Sequence, residues 1–318
     1  MNNKRREFIR QSSLAGGGLL LLQPMNQLNA FSANHFGISH FMNEVSIIHT
    51  NDLHNHIEPL QTGKRNGYGG LKNIESSLNR TSKAYLLLDA GDFLDDAASI
   101  EDHKRMIRCM NQMKFHASTP GNRELSNGAE HLASLMPLMK FPLVNCNYVF
   151  DHPVLRNAVH PYKIVRSGRY KIGITGVGTD QLKQSEGITW YHPYDKANAV
   201  AAQLKGQKGC DLVICLSHLG YKQPHGGPQN EEFARASENI DLIIGGHSEL
   251  VMPGEMILRN SLKHEVIVSH GGPGGILIRQ ITFGFNQNQQ KNNIASINIV
   301  PGLPVSKSAY TEIKRILA

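Results

Sequence analysis

Residues 47–54, Ile47-Ile48-His49-Thr50-Asn51-Asp52-Leu53-His54, form a short apolar run that ends in an aspartate and a histidine two positions apart. The run is typical of a buried strand, and its polar end places a carboxylate and an imidazole at the edge of a sheet. Both groups are common metal ligands. The alternative is that Asp52 only caps a turn and that His54 lies on the surface, and the rest of the chain decides between the two.

Four more strand candidates end beside a residue that can bind a metal. Residues 84–89 precede Asp92, 115–119 precede Asn122, 211–216 precede His218, and 240–244 precede His247. The carboxyl ends of strands in layered α/β folds meet at one edge, where ligands collect. Two carboxylates, three imidazoles and one amide oxygen are a donor set that suits Mn, Zn, Fe or Co at a binuclear site.

Helical patterns alternate with these strands. They cover about 70–81, 106–113, 129–139, 197–205 and 231–237. A glycine turn joins 162–165 to 170–178 in a predicted hairpin. Three strands follow at 265–269, 276–285 and 294–300, with an Asn/Gln-rich turn at 286–293 and a closing helix at 306–317. The order predicts a mixed α/β fold.

Composition limits the class of protein. The chain has 318 residues, of which 40% are hydrophobic, and a formal charge of +7. Residues 1–30 account for three of these charges, which leaves +4 for the remainder and does not indicate a nucleic-acid-binding protein. No linker or repeat is visible, so we expect residues 31–318 to form a single domain. The four cysteines show no C-x-x-C spacing and therefore do not predict a structural zinc site.

The amino terminus resembles a twin-arginine export signal. Arg5 and Arg6 are followed by Phe8 and then by a short, glycine-containing apolar run at 14–22. That run is too short to span a bilayer, which takes about 20 residues. We expect a signal peptide at about 1–30, cleavage after Ala30 or Ala33, a periplasmic or otherwise exported protein, and no stable membrane anchor.

Five motifs stand in the order found in the metallophosphoesterase domain of the bacterial 5′-nucleotidase family, which is calcineurin-like, and the chain resembles that domain over about residues 44–300. The motifs are Asn51-Asp52-Leu53-His54, Asp89-Ala90-Gly91-Asp92, Gly121-Asn122, Leu216-Ser217-His218-Leu219-Gly220 and Gly245-Gly246-His247-Ser248. The resemblance implies a four-layer αββα sandwich that holds two divalent metal ions. Asp52 and His54 would bind the first ion and Asp92 would bridge both. The second ion would be bound by Asn122, His218 and His247.

The expected proton donor is missing. The family continues Gly-Asn with His-Glu and, soon after, Asp, whereas this chain has Arg123 and Ser126 at the positions of the histidine and the aspartate. Arginine stays charged and cannot act as a general acid. Arg123 could still bind phosphate oxygens, and the alternative is that it only pairs with a surface carboxylate. His56, His225 and His270 are candidate replacement acids among which the sequence does not choose.

Two further departures concern metal binding and substrate. Glu249 stands where relatives often have histidine, glutamine or asparagine, and it either completes the first metal's ligands or is simply solvated. Nucleotidases of the family carry a carboxyl-terminal domain that stacks the nucleobase, whereas this chain stops soon after its last predicted strand. Nucleotide specificity would then require a separately encoded nucleotidase domain as a partner.

Three functions are therefore considered. The first is an exported binuclear metallophosphoesterase that acts on a small phosphorylated substrate through attack by water, with Asn122 and Arg123 at the reacting group. The second is a catalytically weak module that binds metal and phosphate. The third is a thiol-sulfate ester hydrolase on the same scaffold.

Overall fold

The structure is a computed structural model that describes residues 43–80, 84–182, 185–221, 226–252, 254–304 and 308–317. The predicted export signal at 1–30 lies outside these ranges. Within them, no helix has both the length and the apolar character needed to span a membrane.

Strands are numbered in chain order. The first eight are β1 Glu44–Thr50, β2 Leu86–Asp89, β3 Ala117–Ser118, β4 Leu143–Val144, β5 Tyr148–Phe150, β6 Val159–His160, β7 Tyr162–Ser167 and β8 Tyr170–Gly178. The others are β9 Ile188–Trp190, β10 Leu212–His218, β11 Leu242–Gly245, β12 Met256–Arg259, β13 Glu265–His270, β14 Ile278–Phe285 and β15 Lys291–Ile299.

The α-helices are α1 Gly70–Leu78, α2 Ile100–Gln112, α3 Arg123–Ser126, α4 Ala129–Leu135, α5 Pro153–Ala158, α6 Pro193–Ala202, α7 Asn230–Ala236 and α8 Ala309–Leu317. A π-helical turn, Gln203–Gln207, extends α6. Short 3-10 turns are found at Gly63–Arg65, Met136–Leu138, Asp180–Leu182 and Pro273–Gly275.

Two large sheets contain most of the strands. One has the order β15-β14-β1-β2-β3-β4-β6 and the other β12-β13-β11-β10-β8-β7, while β5 and β9 form a separate pair. Strands β1, β2, β3, β4 and β6 run parallel, as do β8, β10, β11 and β13. Each sheet therefore brings the carboxyl ends of several strands to a common edge.

Side-chain alternation along the strands builds three apolar layers. In β1, Ile47 faces the other sheet and packs in a cluster with Ile214 of β10. Its neighbour Ile48 points the other way, into a cluster with Ile74 of α1 and the apolar residues of α2 and α4. On the far side, Val213 packs with residues of α6 and α7. Helices, sheet, sheet and helices follow one another, which confirms the predicted αββα sandwich.

Several predicted elements differ at their ends. Helix α2 begins at Ile100 rather than near Met106, because Ser99 caps it by accepting from the Asp102 N–H at 3.2 Å and its first turns are polar. Strand β15 begins at Lys291, so the predicted turn is shorter. Its polar residues are tolerated because β15 is an edge strand. Strand β12, also an edge strand, was not predicted, because its residues are only partly buried.

Candidate metal centre

The predicted ligands lie at the end of β10 or on loops, and they meet where the carboxyl ends of the two sheets converge. This edge is called here the metal rim (Asp52, His54, Asp92, Asn122, His218, His247 and Glu249). The loops after β1 and β2 are joined by backbone hydrogen bonds from the Asp52 N–H to Gly91 O at 2.9 Å, from the His54 N–H to Asp92 O at 3.0 Å and from the Asn55 N–H to Phe93 O at 3.0 Å. Another backbone bond joins the Gly246 N–H to Ser217 O at 3.0 Å. These backbone bonds therefore fix the positions from which the ligand side chains extend.

Five of the metal-rim residues have a left-handed backbone. The φ angles are 51° at Asp52, 46° at His54, 54° at Asp92, 78° at His247 and 49° at Glu249. Residues other than glycine rarely adopt positive φ, and such strain collects at functional sites because surrounding structure must hold it. Because five such residues lie together at this edge, the metal rim is distinguished as a candidate functional site within the described part of the chain.

Two groups of ligand atoms share one carboxylate. Asp52, His54 and Asp92 form the first group, and Asp92, His218 and His247 form the second. Within each group the ligand atoms lie within 4.8 Å of one another. Asp52 is fully buried and Asp92 is 3% exposed. The geometry thus brings together five of the predicted ligands, with Asp92 between the two groups.

His218 shows that this edge suits a cation. Its Nδ1 donates to Ala90 O at 2.8 Å, so in the neutral ring the lone pair is on Nε2, which faces Asp92 Oδ2 at 3.1 Å. Burial would lower the pKa of His218, but the Asp92 carboxylate outweighs it and raises that pKa to about 10. Two electron-pair donors that face each other need a proton or a metal ion between them. The residues present therefore fit a divalent ion.

Glycine is required beside this histidine. Gly91 has a φ of +92°, and a Cβ there would lie 2.9 Å from both His218 Nδ1 and Gly121 N. Any side chain at this position would push the imidazole away from Asp92.

Asn122 and His247 lie side by side. The His247 Nδ1 donates to Asn122 Oδ1 at 2.9 Å, and its Nε2 lies 3.2 Å from Gln181 Nε2. Burial, followed by the charge of His218, lowers the pKa of His247 to about 4, so this ring is neutral and available as a ligand. Both ligands were predicted from the sequence, whereas Gln181 was not, because it belongs to no motif.

Glu249 lies next to the first group. Its Oε1 is 3.3 Å from His54 Nε2 and 3.6 Å from Arg123 Nη2. Its side chain is 51% exposed. The carboxylate is therefore close enough to complete the ligands of a first metal, while one side of it remains open to solvent.

Arg123 lies over the metal rim and not on a remote surface. Its N–H donates to Asp92 Oδ1 at 2.8 Å, and its guanidinium binds Asp96 Oδ1 at 2.8 Å. Burial would lower the pKa of Arg123, but Asp92 and Asp96 raise it, so the group stays charged. The Ser126 hydroxyl donates to Arg123 O and does not orient the guanidinium.

A small cavity opens beside these groups. It has a volume of about 230 Å³ and is lined by His54, His56, Leu60, Arg65, Asp95, Arg123, Glu249, Pro273 and Gly274. His56 is thus the one candidate acid that reaches the cavity among the described residues. His270 is buried, with its Nε2 bonded to Asn230 Nδ2 at 3.1 Å, and His225 lies outside the described residues.

Two buried residues that support the ligands were not predicted as site residues. Glu124 accepts from the N–H groups of Asp92 at 2.9 Å, Gly121 at 2.7 Å and Leu94 at 2.8 Å. Asn51 donates to Asp52 Oδ2 at 2.8 Å and accepts from the Gly271 N–H at 2.7 Å. Asn51 stands inside a quoted motif and Glu124 follows another by two residues, so their position beside ligands was the available signal.

Burial raises the pKa of two carboxyl groups beneath the rim. Glu124 has a pKa of about 8 because burial, and then the charge of Asp92, disfavours its anion. Asp89 has a pKa of about 7, although Thr50, Ser118 and the Gly91 N–H all donate to it. The edge therefore concentrates carboxylates and is short of cations.

Comparison with known proteins agrees with this geometry. A profile of the family described as calcineurin-like phosphoesterase matches residues 45–248. The NAD 5′-nucleotidase of Haemophilus influenzae is 30% identical over 245 residues, which are 71% of this chain and 39% of that protein. The chain spans 37–41% of the length of this and two similar curated relatives.

Two solved structures share the fold. The 5′-nucleotidase precursor of Thermus thermophilus superposes with a TM-score of 0.71 at 22% identity, over 86% of this chain and 58% of that chain. The sulfate thiohydrolase SoxB of Thermus thermophilus superposes with a TM-score of 0.61 at 16% identity, over 86% and 59%. The predicted enzyme class, a hydrolase related to 5′-nucleotidases, is confirmed at the level of the family. With two overlapping ligand groups on an αββα sandwich and a profile that matches most of it, the chain belongs to the calcineurin-like phosphoesterase family.

Proposed function

We propose that the protein is an exported phosphoesterase with a binuclear metal centre, which hydrolyses a small phosphorylated substrate through attack by water. The observation that carries this proposal is the pair of ligand groups that share Asp92. Asp52, His54 and Glu249 would hold a first ion, and Asn122, His218 and His247 a second, with Asp92 between them. Manganese, zinc, iron and cobalt all suit this mixture of carboxylate, imidazole and amide donors.

Bound divalent ions would supply the charge that binds phosphoryl oxygens and lowers the pKa of water. The chain itself provides orientation. Asn51 and the His247 N–H fix the two oxygens of Asp52, at 2.8 and 2.9 Å. Glu124 fixes the backbone on both sides of the reacting edge. Water adds its oxygen to phosphorus, the bond from phosphorus to the leaving oxygen breaks, and the proton released from water passes to solvent.

Arg123 determines which leaving groups are accepted. Its guanidinium stays charged, so it donates hydrogen bonds to phosphoryl oxygens or to a departing anion but gives no proton. A general acid contributes a factor of about 10²–10⁴ when the leaving group needs a proton. We therefore expect substrates with acidic leaving groups, such as aryl phosphates, to react much faster than alkyl phosphates.

Export and the partner are further parts of the proposal. The twin-arginine pattern at Arg5 and Arg6 supports export, which would make the protein periplasmic. The match covers only 37–41% of the length of these relatives. Nucleotide specificity would then depend on a separately encoded nucleotidase domain.

A metal analysis combined with a phosphoester panel tests the proposal. The purified protein is incubated with Mn²⁺, Zn²⁺, Fe²⁺ or Co²⁺, desalted, and analysed for bound metal, and each form is assayed with aryl, alkyl and anhydride phosphates and with a thiol-sulfate ester. We expect about two ions per chain and hydrolysis of aryl phosphates. Protein that binds no metal would overturn the proposal.

The second candidate is a catalytically weak module that binds metal and phosphate. Arg123 favours it, because four carboxylates (Asp92, Asp95, Asp96 and Glu249) lie within 4 Å of the guanidinium and compete with substrate. Metal-loaded protein that binds phosphate but is inert toward the whole panel would support this candidate against the first. Sulfate release from the thiol ester alone would support the third function.

A further inference from the structure

Arg65 lies in the same cavity as the metal rim but has a different electrostatic environment from Arg123. Both line the cavity of about 230 Å³. Arg123 has four carboxylates around its guanidinium, whereas Arg65 forms no ion pair with any residue in the described ranges. Arg65 is therefore a cation of this cavity whose charge no carboxylate of the described residues neutralises.

The segment that carries Arg65 is held in place from both sides. Its ends are joined by hydrogen bonds from the Leu60 N–H to Tyr68 O at 2.9 Å and from the Gly67 N–H to Leu60 O at 2.8 Å. Between them, Arg65 lies in the 3-10 turn Gly63–Arg65. The cation is thus presented from a closed loop rather than from an open end.

Helix α8 supports this loop. Arg315 Nη2 donates to Lys64 O at 2.7 Å, and its guanidinium lies 5.6 Å from the Tyr68 ring centre. Tyr68 is 6% exposed and packs in one apolar cluster with Ile313 and Ile316. A binding group held by packed elements loses less entropy when it engages a ligand.

The chemistry at Arg123 indicates what Arg65 could bind. A site without a general acid favours a leaving group that departs as an anion, and a fixed cation near the leaving oxygen stabilises that anion. The cavity joins the reacting edge, at His54 and Glu249, to Arg65. A substrate whose leaving group carries its own negative charge would use both features.

We propose that Arg65 is a specificity-determining residue that binds a second anionic group of the substrate, carried on the leaving group. The proposal rests on the function proposed above and deepens it. For a phosphoanhydride, the water oxygen bonds to phosphorus and the bond from phosphorus to the bridging oxygen breaks. The second phosphate leaves with that electron pair and needs no proton from the protein, and the proton released from water passes to solvent.

Binding of two non-hydrolysable probes tests the role of Arg65 without turnover. Methylenediphosphonate has two anionic groups and phenylphosphonate has one. Their Kd values are measured by calorimetry on the Mn²⁺-loaded full chain for wild type, Arg65→Gln and Lys64→Gln. Lys64 is the matched control because it shares the 3-10 turn but does not line the cavity.

We expect Arg65→Gln to raise the Kd of methylenediphosphonate about tenfold, as for a lost charge-assisted hydrogen bond, and that of phenylphosphonate less than twofold. Lys64→Gln should change neither, and Arg65→Lys should restore most of the loss. Equal weakening of both probes, or equal effects of the Gln variants at 64 and 65, would overturn the inference. A change in the ratio of the two Kd values, with no hydrolysis of any phosphoester, would refute the proposed function and leave Arg65 as the residue that binds the second anionic group of a bound ligand.

Discussion

Strand β11 has a buried aspartate at one end and a histidine of the metal rim at the other. At its amino end, Asp241 is 6% exposed and is neutralised by Lys205 Nζ at 2.8 Å and by Lys291. Just past its carboxyl end lies His247, among Asp52, Asp92 and Glu249. Two lysines balance the charge of the carboxylate at the amino end, called here the lysine end (Lys205, Asp241 and Lys291). At the metal rim, the groups beside the carboxylates are mainly imidazoles.

The difference separates a structural cluster from a metal-binding one. A buried carboxylate needs a partner, and lysine supplies a permanent positive charge at neutral pH. Imidazole supplies one only when protonated, and when neutral it adds another electron pair. A carboxylate paired with a lysine therefore forms a complete ion pair, whereas a carboxylate beside a neutral histidine leaves electron pairs that can bind a metal ion. A cavity of about 600 Å³ also lies at the lysine end, so a cavity alone does not distinguish the two.

The largest expected effect is at the shared carboxylate. Asp92→Asn should lower kcat/KM on aryl phosphates about 10³-fold or more, because ion-mediated stabilisation is worth several kcal/mol. The rise in Tm that Mn²⁺ causes should disappear in the same variant. Asp241→Asn is the control and should keep the full metal-induced rise. If Mn²⁺ raises the Tm of the two variants equally, the proposed difference between the metal rim and the lysine end is wrong.

A second substitution tests the missing acid. Arg123→His combined with Ser126→Asp should raise the rate on alkyl phosphates relative to aryl phosphates about 10²-fold, since a general acid helps only the poorer leaving group. Steady-state kinetics on matched aryl and alkyl esters measure the ratio. Ser126→Asp alone is the control. An unchanged ratio would mean that the scaffold lacks more than a proton donor.

The lysine end should matter for stability and not for metal binding. Asp241→Asn leaves two lysines that are 27% and 33% exposed and can reach water, so we expect a loss of about 2 kcal/mol rather than the larger cost of a fully buried charge. Urea unfolding with EDTA and with Mn²⁺ should give the same loss. A loss that grows when metal is added would link this end to the metal rim.

The smallest effect concerns pH. Burial, followed by the charges of Arg279 and His218, lowers the pKa of His270 to about 3, so the folded state holds a neutral ring. Its contribution to stability is complete above the unfolded pKa of about 6.5 and is lost as the pH falls toward 3. In EDTA, His270→Gln should reduce the fall in unfolding free energy between pH 6 and pH 4 by about 1 kcal/mol per pH unit. An unchanged slope would contradict the assignment.

Much of the fold followed from local patterns. Residues 86–89 and 212–218 form buried strands, as predicted, because no polar residue interrupts their apolar runs at 86–88 and 212–216. Edge strands were harder to predict. Strand β12 carries Arg259 and half-exposed side chains, and β15 begins with three polar residues. Neither therefore shows a clear alternation of apolar and polar residues.

The candidate site was predictable where chemistry coincides with a strand end. Asp52, Asp92, His218 and His247 each follow an apolar run, and the structure brings them together. Glu124 was not recognised as a support, because a carboxylate that binds three backbone N–H groups looks the same in sequence as a solvated one. The contacts of Arg123 with Asp95 and Asp96 come from a loop whose path only the folded chain defines. The assignment of residues 31–318 to one domain and the individual ligand roles stay predictions.

The three N–H groups that Glu124 binds also bear on how metal would enter and leave. This carboxylate and the backbone bonds between the loops after β1 and β2 link the loops through protein groups alone. Proteins that depend on metal to fold lose their structure in chelators. Here a chelator should empty the metal rim while both sheets remain intact, so ions could be exchanged repeatedly on a single folded chain.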